Sequence, residues 1–190
     1  MSVASISGSG ILSFTRRMRE FIQDPFGPNP KVKEGTSGHF TITNRKLQFF
    51  HKKGEKEPTK NHFVVEKSPG NKFAASVDLS VKFTGVTRNS VGMILKKKDD
   101  ENYYAVEIGS DKKARFFEFK DGNRSVLKIK NLDEINPKFN LSTNVDGPNM
   151  KIMIDGEEIF NVRDTTHTGG QLGFGGFDTP ANFENLKVYK

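Results

Sequence analysis

Three residue patterns in this chain have types and spacing that could do chemistry: a glycine-dense C-terminal stretch, short acidic clusters and four histidines. Residues 168–190 read TGGQLGFGGFDTPANFENLKVYK, with Gly169, Gly170, Gly173, Gly175 and Gly176 close together. A phosphate cradle sets its glycines between a strand and a helix, as Gly-x-Gly-x-x-Gly or with a Lys-Ser/Thr following. Gly173, Gly175 and Gly176 fit neither spacing, and Thr179-Pro180 followed by an apolar alternation comes next. The stretch therefore reads as sheet. Leu172 and Phe174 face inward, and the glycines between them admit a neighbouring segment. Phe183, Leu186 and Val188 follow inward, with a bulge where the alternation slips between Phe183 and Leu186.

The histidines (His39, His51, His62 and His167) show no metal-ligand spacing, and the chain has no cysteine, which removes disulfides, thiolate chemistry and Cys-bearing zinc sites. No Gly-x-Ser-x-Gly elbow is present; Gly8-Ser9-Gly10 is too short and lies in a flexible-looking arm. The acidic clusters Asp99-Asp100-Glu101, Asp133-Glu134 and Glu157-Glu158 all fall at expected turns, where solvated charge is the default. No catalytic residue and no cofactor is assigned from these patterns.

The elements that must position any site are strands. From residue 39 onward the apolar period is two. In KFAASVDLSVKF, Phe73, Ala75, Val77, Leu79, Val81 and Phe83 face one way, against Ala74, Ser76, Asp78, Ser80 and Lys82. Shorter runs of the same kind recur at intervals of about ten residues. Asp121-Gly122 and Asp155-Gly156 each sit between two such runs, the strongest short-range hairpin signal. About a dozen strands make an all-β sandwich. Residues 1–38 differ. Phe14, Met18, Phe21 and Ile22 recur at helical spacing, with Arg16, Arg17 and Arg19 beside them, and QDPFGPNP follows. The expectation is a short amphipathic helix on an extended Pro-rich arm (1–38), docking on its own domain or on a partner, ahead of one sandwich domain (39–190).

At 190 residues, with a mean hydropathy of −0.60 and 34% hydrophobic residues, the chain suits one core and holds no run near the roughly 20 apolar residues of a membrane span. The first residues lack the charge order of a signal peptide, so synthesis in the cytoplasm is expected, which also suits a virus particle assembled there. The net charge is +7. Residues 45–72 hold eight Lys and Arg against three acidic residues, a stretch that reads as a solvated loop more readily than as a nucleic-acid surface.

From Gly38 on, about four fifths of the chain, the order of patterns resembles the concanavalin A-like lectin/glucanase jelly roll, including laminin G-like domains and the related 3-keto-disaccharide hydrolase group. GHFTITNRKLQF resembles the opening hairpin, FAASVDLSVKF the long crossing strand, and VGMILKKKDDENYYAVEIG the next pair. MKIMIDGEEIFNV resembles the apolar–Asp-Gly–apolar hairpin, and GGQLGFGGFDTPANFENLKVY the closing unit, with Glu184 where the family pattern has an acidic residue. The resemblance implies a concanavalin A-like antiparallel β-sandwich. For glucanase activity it implies a Glu-x-Asp-x-x-Glu string, which this chain lacks. A calcium site of the laminin G kind would draw on Asp99, Asp100 or Asp178. For sugar binding, with no Trp and three Tyr, the candidates are Tyr103, Tyr104 and Phe116. Phe117 and Phe119 share a face, which is expected to turn Phe116 outward with Glu118. The main functional expectation is a non-catalytic attachment module of a larger assembly, such as a phage decoration or tail/baseplate component, docked to other protein chains through its arm. The alternative is a carbohydrate-binding or glycoside-hydrolase-like protein with a glycan partner.

Overall fold

The computed structural model describes residues 20–22, 32–34, 39–43, 46–50, 60–65, 67–83, 89–177 and 179–190. Among these residues the chain forms fifteen strands: β1 (Glu20–Ile22), β2 (Val32–Glu34), β3 (His39–Thr43), β4 (Lys46–Phe50), β5 (Lys60–Val65), β6 (Lys72–Val81), β7 (Ser90–Lys97) and β8 (Tyr103–Gly109). They continue as β9 (Lys113–Lys120), β10 (Asn123–Asn131), β11 (Lys138–Asp146), β12 (Asn149–Ile154), β13 (Glu157–Arg163), β14 (Gln171–Phe177) and β15 (Ala181–Tyr189). Two antiparallel sheets result. One runs β13-β12-β11-β6-β15-β4-β3, with β1 added alongside β15; the other runs β10-β9-β8-β7-β14-β5-β2. This is the all-β sandwich that the alternation predicts, in the jelly-roll form that the resemblance implies.

The period of two decides what each strand buries. Phe73, Ala75, Val77, Leu79 and Val81 of β6 all enter the core between the sheets, with Leu172 and Phe174 of β14 and Phe183, Leu186 and Val188 of β15. The alternation of β15 survives because a bulge falls between Glu184 and Lys187 in its pairing with β6, where Asn185 takes a φ of 52°. Both Asp-Gly pairs form the expected tight hairpins. Asp121 and Gly122 have φ of 49° and 75°, and Asp155 and Gly156 have 50° and 85°, so both central residues are left-handed, as the turn requires.

The N-terminal expectation needs correcting where the chain is described. Phe21 and Ile22 lie in β1, not in a helix, and β1 runs antiparallel to the end of β15, with Ile22 opposite Val188. The reason is an open edge. β4 pairs only with residues 181–184 of β15, which leaves the backbone groups near Val188 and Tyr189 to be satisfied on that side. Phe14, Arg16, Arg17, Met18 and Arg19 lie outside the described residues, as does most of the basic segment around residues 51–59.

Glycine sets the close packing of the seven-stranded sheet. A Cβ on Gly92 of β7 would fall 1.7 Å from the Val106 carbonyl oxygen of β8, and one on Gly173 of β14 would fall 2.7 Å from the Phe63 oxygen of β5. Neither neighbour is a flexible side-chain tip, so each strand would have to move. Gly92→Ala is therefore expected to cost about 3 kcal/mol and Gly173→Ala about 1–2 kcal/mol. Urea unfolding monitored by circular dichroism checks the order; equal midpoints for both variants and the parent would contradict it.

Candidate functional site

Chemistry has to be sought on the outer faces, because the inner faces are sealed against each other. On β8, Tyr104, Val106 and Ile108 point into the main core. Tyr103 and Ala105 point out and join Phe117 and Phe119 of β9 in a separate apolar cluster. Pairing carries this alternation from strand to strand: Val106 lies opposite Phe116, Ala105 opposite Phe117 and Tyr103 opposite Phe119. Phe116 is fully buried, against Phe160. The outward aromatic positions of β9 therefore belong to Phe117 and Phe119, the reverse of the expected assignment. Both faces of ARFFEFK carry phenylalanine, so alternation alone does not choose between them; the register with β8 does. Tyr104 and Phe116 offer no face to a ligand, whereas Tyr103 lies on the outer surface.

That outer face has a defined geometry. The Tyr103 and Phe119 rings are stacked, with centroids 4.3 Å apart and planes 14° from parallel. Arg124 of β10 lies opposite Phe119, and its guanidinium sits 3.6 Å from the centre of the Phe117 ring. Its Nη2 donates to both carboxylate oxygens of Glu107, at 3.1 and 3.0 Å. The other guanidinium donors have no partner among the described residues. Glu107 is nearly buried while Arg124 is 47% exposed, so the pair is a held carboxylate beneath a presented cation. Gly92 and Gly175, directly opposite each other, carry this face onward across β7 and β14.

A bulge in β7 builds one rim. Ile94 pairs with Gly173 but Lys97 pairs with Gln171, so one extra residue is accommodated, and Lys96 there has a φ of 51°. The bulge puts Leu95 and Lys96 on the same inner side, so Lys96 turns in and Lys97 turns out, the reverse of regular alternation. Lys97 is paired with Asp100 and lies 5.7 Å from the Tyr103 ring centre, on the outer face, where it too is largely covered. Lys96 is buried, donates to the Gly147 carbonyl at 2.7 Å and sits over the Tyr104 ring. Burial lowers the Lys96 pKa, opposed by the charge of Asp164. The Tyr104 hydroxyl donates to Asp164 and accepts from the His167 amide at 3.1 Å. His167 Nε2 is 2.8 Å from the Phe119 carbonyl oxygen, which can only accept, so that nitrogen carries the hydrogen. A buried polar network thus fixes from below the strand that presents Phe119.

The remaining candidates disperse. The Asp99 carboxylate accepts from the Glu101 amide at 2.9 Å and from Asn102, bonds that hold the turn and lower its pKa. Asp178 lies outside the described residues. Among the described residues no group of three or more His, Asp or Glu side chains converges as metal ligands would. Glu107 and Arg124 were not singled out by motif. Counting back from the Asp121-Gly122 turn does place Arg124 opposite Phe119, and the lone charge in YYAVEIG is Glu107.

No family model matches the chain. Over 126 residues, 65% of its length, it is 26% identical to levanase of Bacillus subtilis (strain 168), of which that match spans only 19%. Among solved structures it is similar to the carbohydrate-binding module CBM66 from Bacillus subtilis, with a TM-score of 0.70 and 22% identity over 84% of this chain and 96% of that one. It is also similar to a Bacillus licheniformis β-glucanase, with a TM-score of 0.62 and 12% identity over 87% and 95% of the two chains. At these identities the structural likeness establishes the fold: the chain is a concanavalin A-like jelly roll.

The two adjacent tyrosines, one on each side of β8, make a testable alkaline signature. Burial raises the Tyr103 pKa to about 12, with the charges of Glu107 and Asp100 adding to it, and burial with the Asp164 hydrogen bond raises Tyr104 as well. A phenol whose folded pKa exceeds its unfolded value stabilises the fold fully below the unfolded pKa of about 10 and loses that contribution as pH rises through the folded value. Absorbance at 295 nm should therefore show Tyr103 and Tyr104 still protonated in the native protein at pH 11, and stability should fall between about pH 10 and 12. Full ionisation of all three tyrosines in a still-folded protein at pH 11 would contradict the burial of both.

Proposed function

We propose that this chain is a non-catalytic carbohydrate-binding module that reads a neutral glycan on the outer face of the seven-stranded sheet. The observation that carries the reading is the Glu107–Arg124 pair laid over Phe117 beside Tyr103. The presented Arg124 guanidinium donates to sugar hydroxyls, and the Glu107 carboxylate beneath it holds it in place before a ligand arrives. The two charges of the pair cancel, which suits an uncharged ligand better than a polyanion.

The similarity to CBM66 and to part of levanase supports this reading and makes levan the first polysaccharide to test. The similarity to a β-glucanase leaves hydrolysis as the competing activity. Against it stands the state of Glu107, engaged by Arg124, and the lack of the Glu-x-Asp-x-x-Glu string. The main expectation from the sequence, an attachment component such as one in a phage particle, gains no support from the relatives.

Affinity electrophoresis through levan and a panel of glucans, galactans and xylans tests the proposal. Retention on at least one neutral polysaccharide is expected. Arg124→Ala and Glu107→Gln should each weaken it about tenfold or more, since a hydrogen bond to a charged group contributes about 1.5–3 kcal/mol. Arg124→Lys should weaken it too, because an ammonium lacks the flat fork that covers Phe117. Failure to bind the whole panel, or release of reducing ends from a bound polysaccharide, would overturn the reading.

A further inference from the structure

The sandwich has a second hollowed face. Two hollows of about 520 and 500 Å³ share Ser80, Lys138 and Asn182, and together they cross β11, β6, β15 and β4 on the outer side of the eight-stranded sheet. With strands about 4.8 Å apart, those four strands span about 14 Å. The floor is a row of polar side chains held by each other. The Asp78 carboxylate accepts from Asn140 Nδ2 at 2.7 Å on one side and from Asn185 Nδ2 at 2.8 Å on the other. Gln48 donates to the Asn182 side-chain oxygen at 3.0 Å. Each of these bonds orients an amide, and its other half has no partner among the described residues, so the carbonyl of Asn140 and the amino group of Asn182 point in fixed directions.

The charge along this groove is balanced: Lys46, Lys82 and Lys138 face Asp78, Asp155 and Glu184. Lys46 is already paired with Glu184 at 2.7 Å, while Lys138 has no partner among the described residues. A polyanion gains little from such a surface. A neutral ligand with many hydroxyls matches it, because each fixed amide, carboxylate and ammonium reads one hydroxyl.

We propose that this groove is a second glycan site, so that one module holds two polysaccharide chains on opposite faces. The ligand class rests on the carbohydrate reading above; the site does not share a residue with Glu107 or Arg124. The sheets of a sandwich lie about 10 Å apart with the core between them, so no single bound segment reaches both faces. Two sites on one rigid module bridge separate chains, or two stretches of one chain, and gain avidity without any new contact.

Titration calorimetry with soluble levan fragments, and turbidity with full-length levan, test this on the parent, on Arg124→Ala and on the double variant Lys138→Ala/Asn182→Ala. Thermal melts show that each variant is folded. The parent should bind two equivalents and cloud long levan, while each variant binds one equivalent and leaves the solution clear. One equivalent for the parent, unchanged in the double variant, overturns the second site and leaves the first reading standing. One equivalent lost only in the double variant supports the groove and overturns the Glu107–Arg124 site. No heat with any of the three proteins overturns both.

Discussion

The pleat governs this molecule: each strand residue faces either the opposing sheet or the outside, and a slip of one residue exchanges the two. The consequence for function is direct. Everything between the sheets is closed, with Tyr104, Phe116, Phe63 and Phe174 fully buried there, so recognition is confined to the outer faces and the loop ends. Bulges are where the chain departs from the rule, and two of those departures position side chains on its faces. At Lys96 the bulge turns one lysine into the buried network and the next one out beside Tyr103. At Asn185 it restores the inward alternation of the last strand and presents an amide to Asp78.

Much of the fold is legible in the residues themselves. Long alternations such as Phe73–Val81 leave no choice of face, and the two Asp-Gly pairs state their turns, because only left-handed backbone joins strands so tightly. The C-terminal glycines could be read as sheet because their spacing fits no phosphate loop and apolar residues sit between them. The site was less legible. In ARFFEFK both faces are apolar, since the outer face carries its own aromatic layer beneath Arg124, and a pattern equally apolar on both sides does not state its register. The N-terminal segment shows a second kind of failure. Phe21 and Ile22 fit a helical period, but the open edge of β15 offered backbone partners that a helix would have had to forgo.

The two outer faces fix their polar side chains differently. On the seven-stranded sheet a charge pair is laid on aromatic rings, which raises the strength of its hydrogen bonds by shielding one side from water. On the eight-stranded sheet a carboxylate, Asp78, aligns amides from the strands on either side of it, and no ring is involved. In both cases the side chains that would meet a ligand are already fixed by neighbours, so little ordering entropy remains to be lost on binding.

The most direct measurement of the central claim is a map of backbone amide chemical shifts during titration with a polysaccharide fragment that the protein retains. The account predicts that the largest changes fall on Tyr103, Glu107, Arg124, Gly92 and Gly175, which meet only on the outer face of the seven-stranded sheet. A saturated titration that leaves all five unmoved would contradict it.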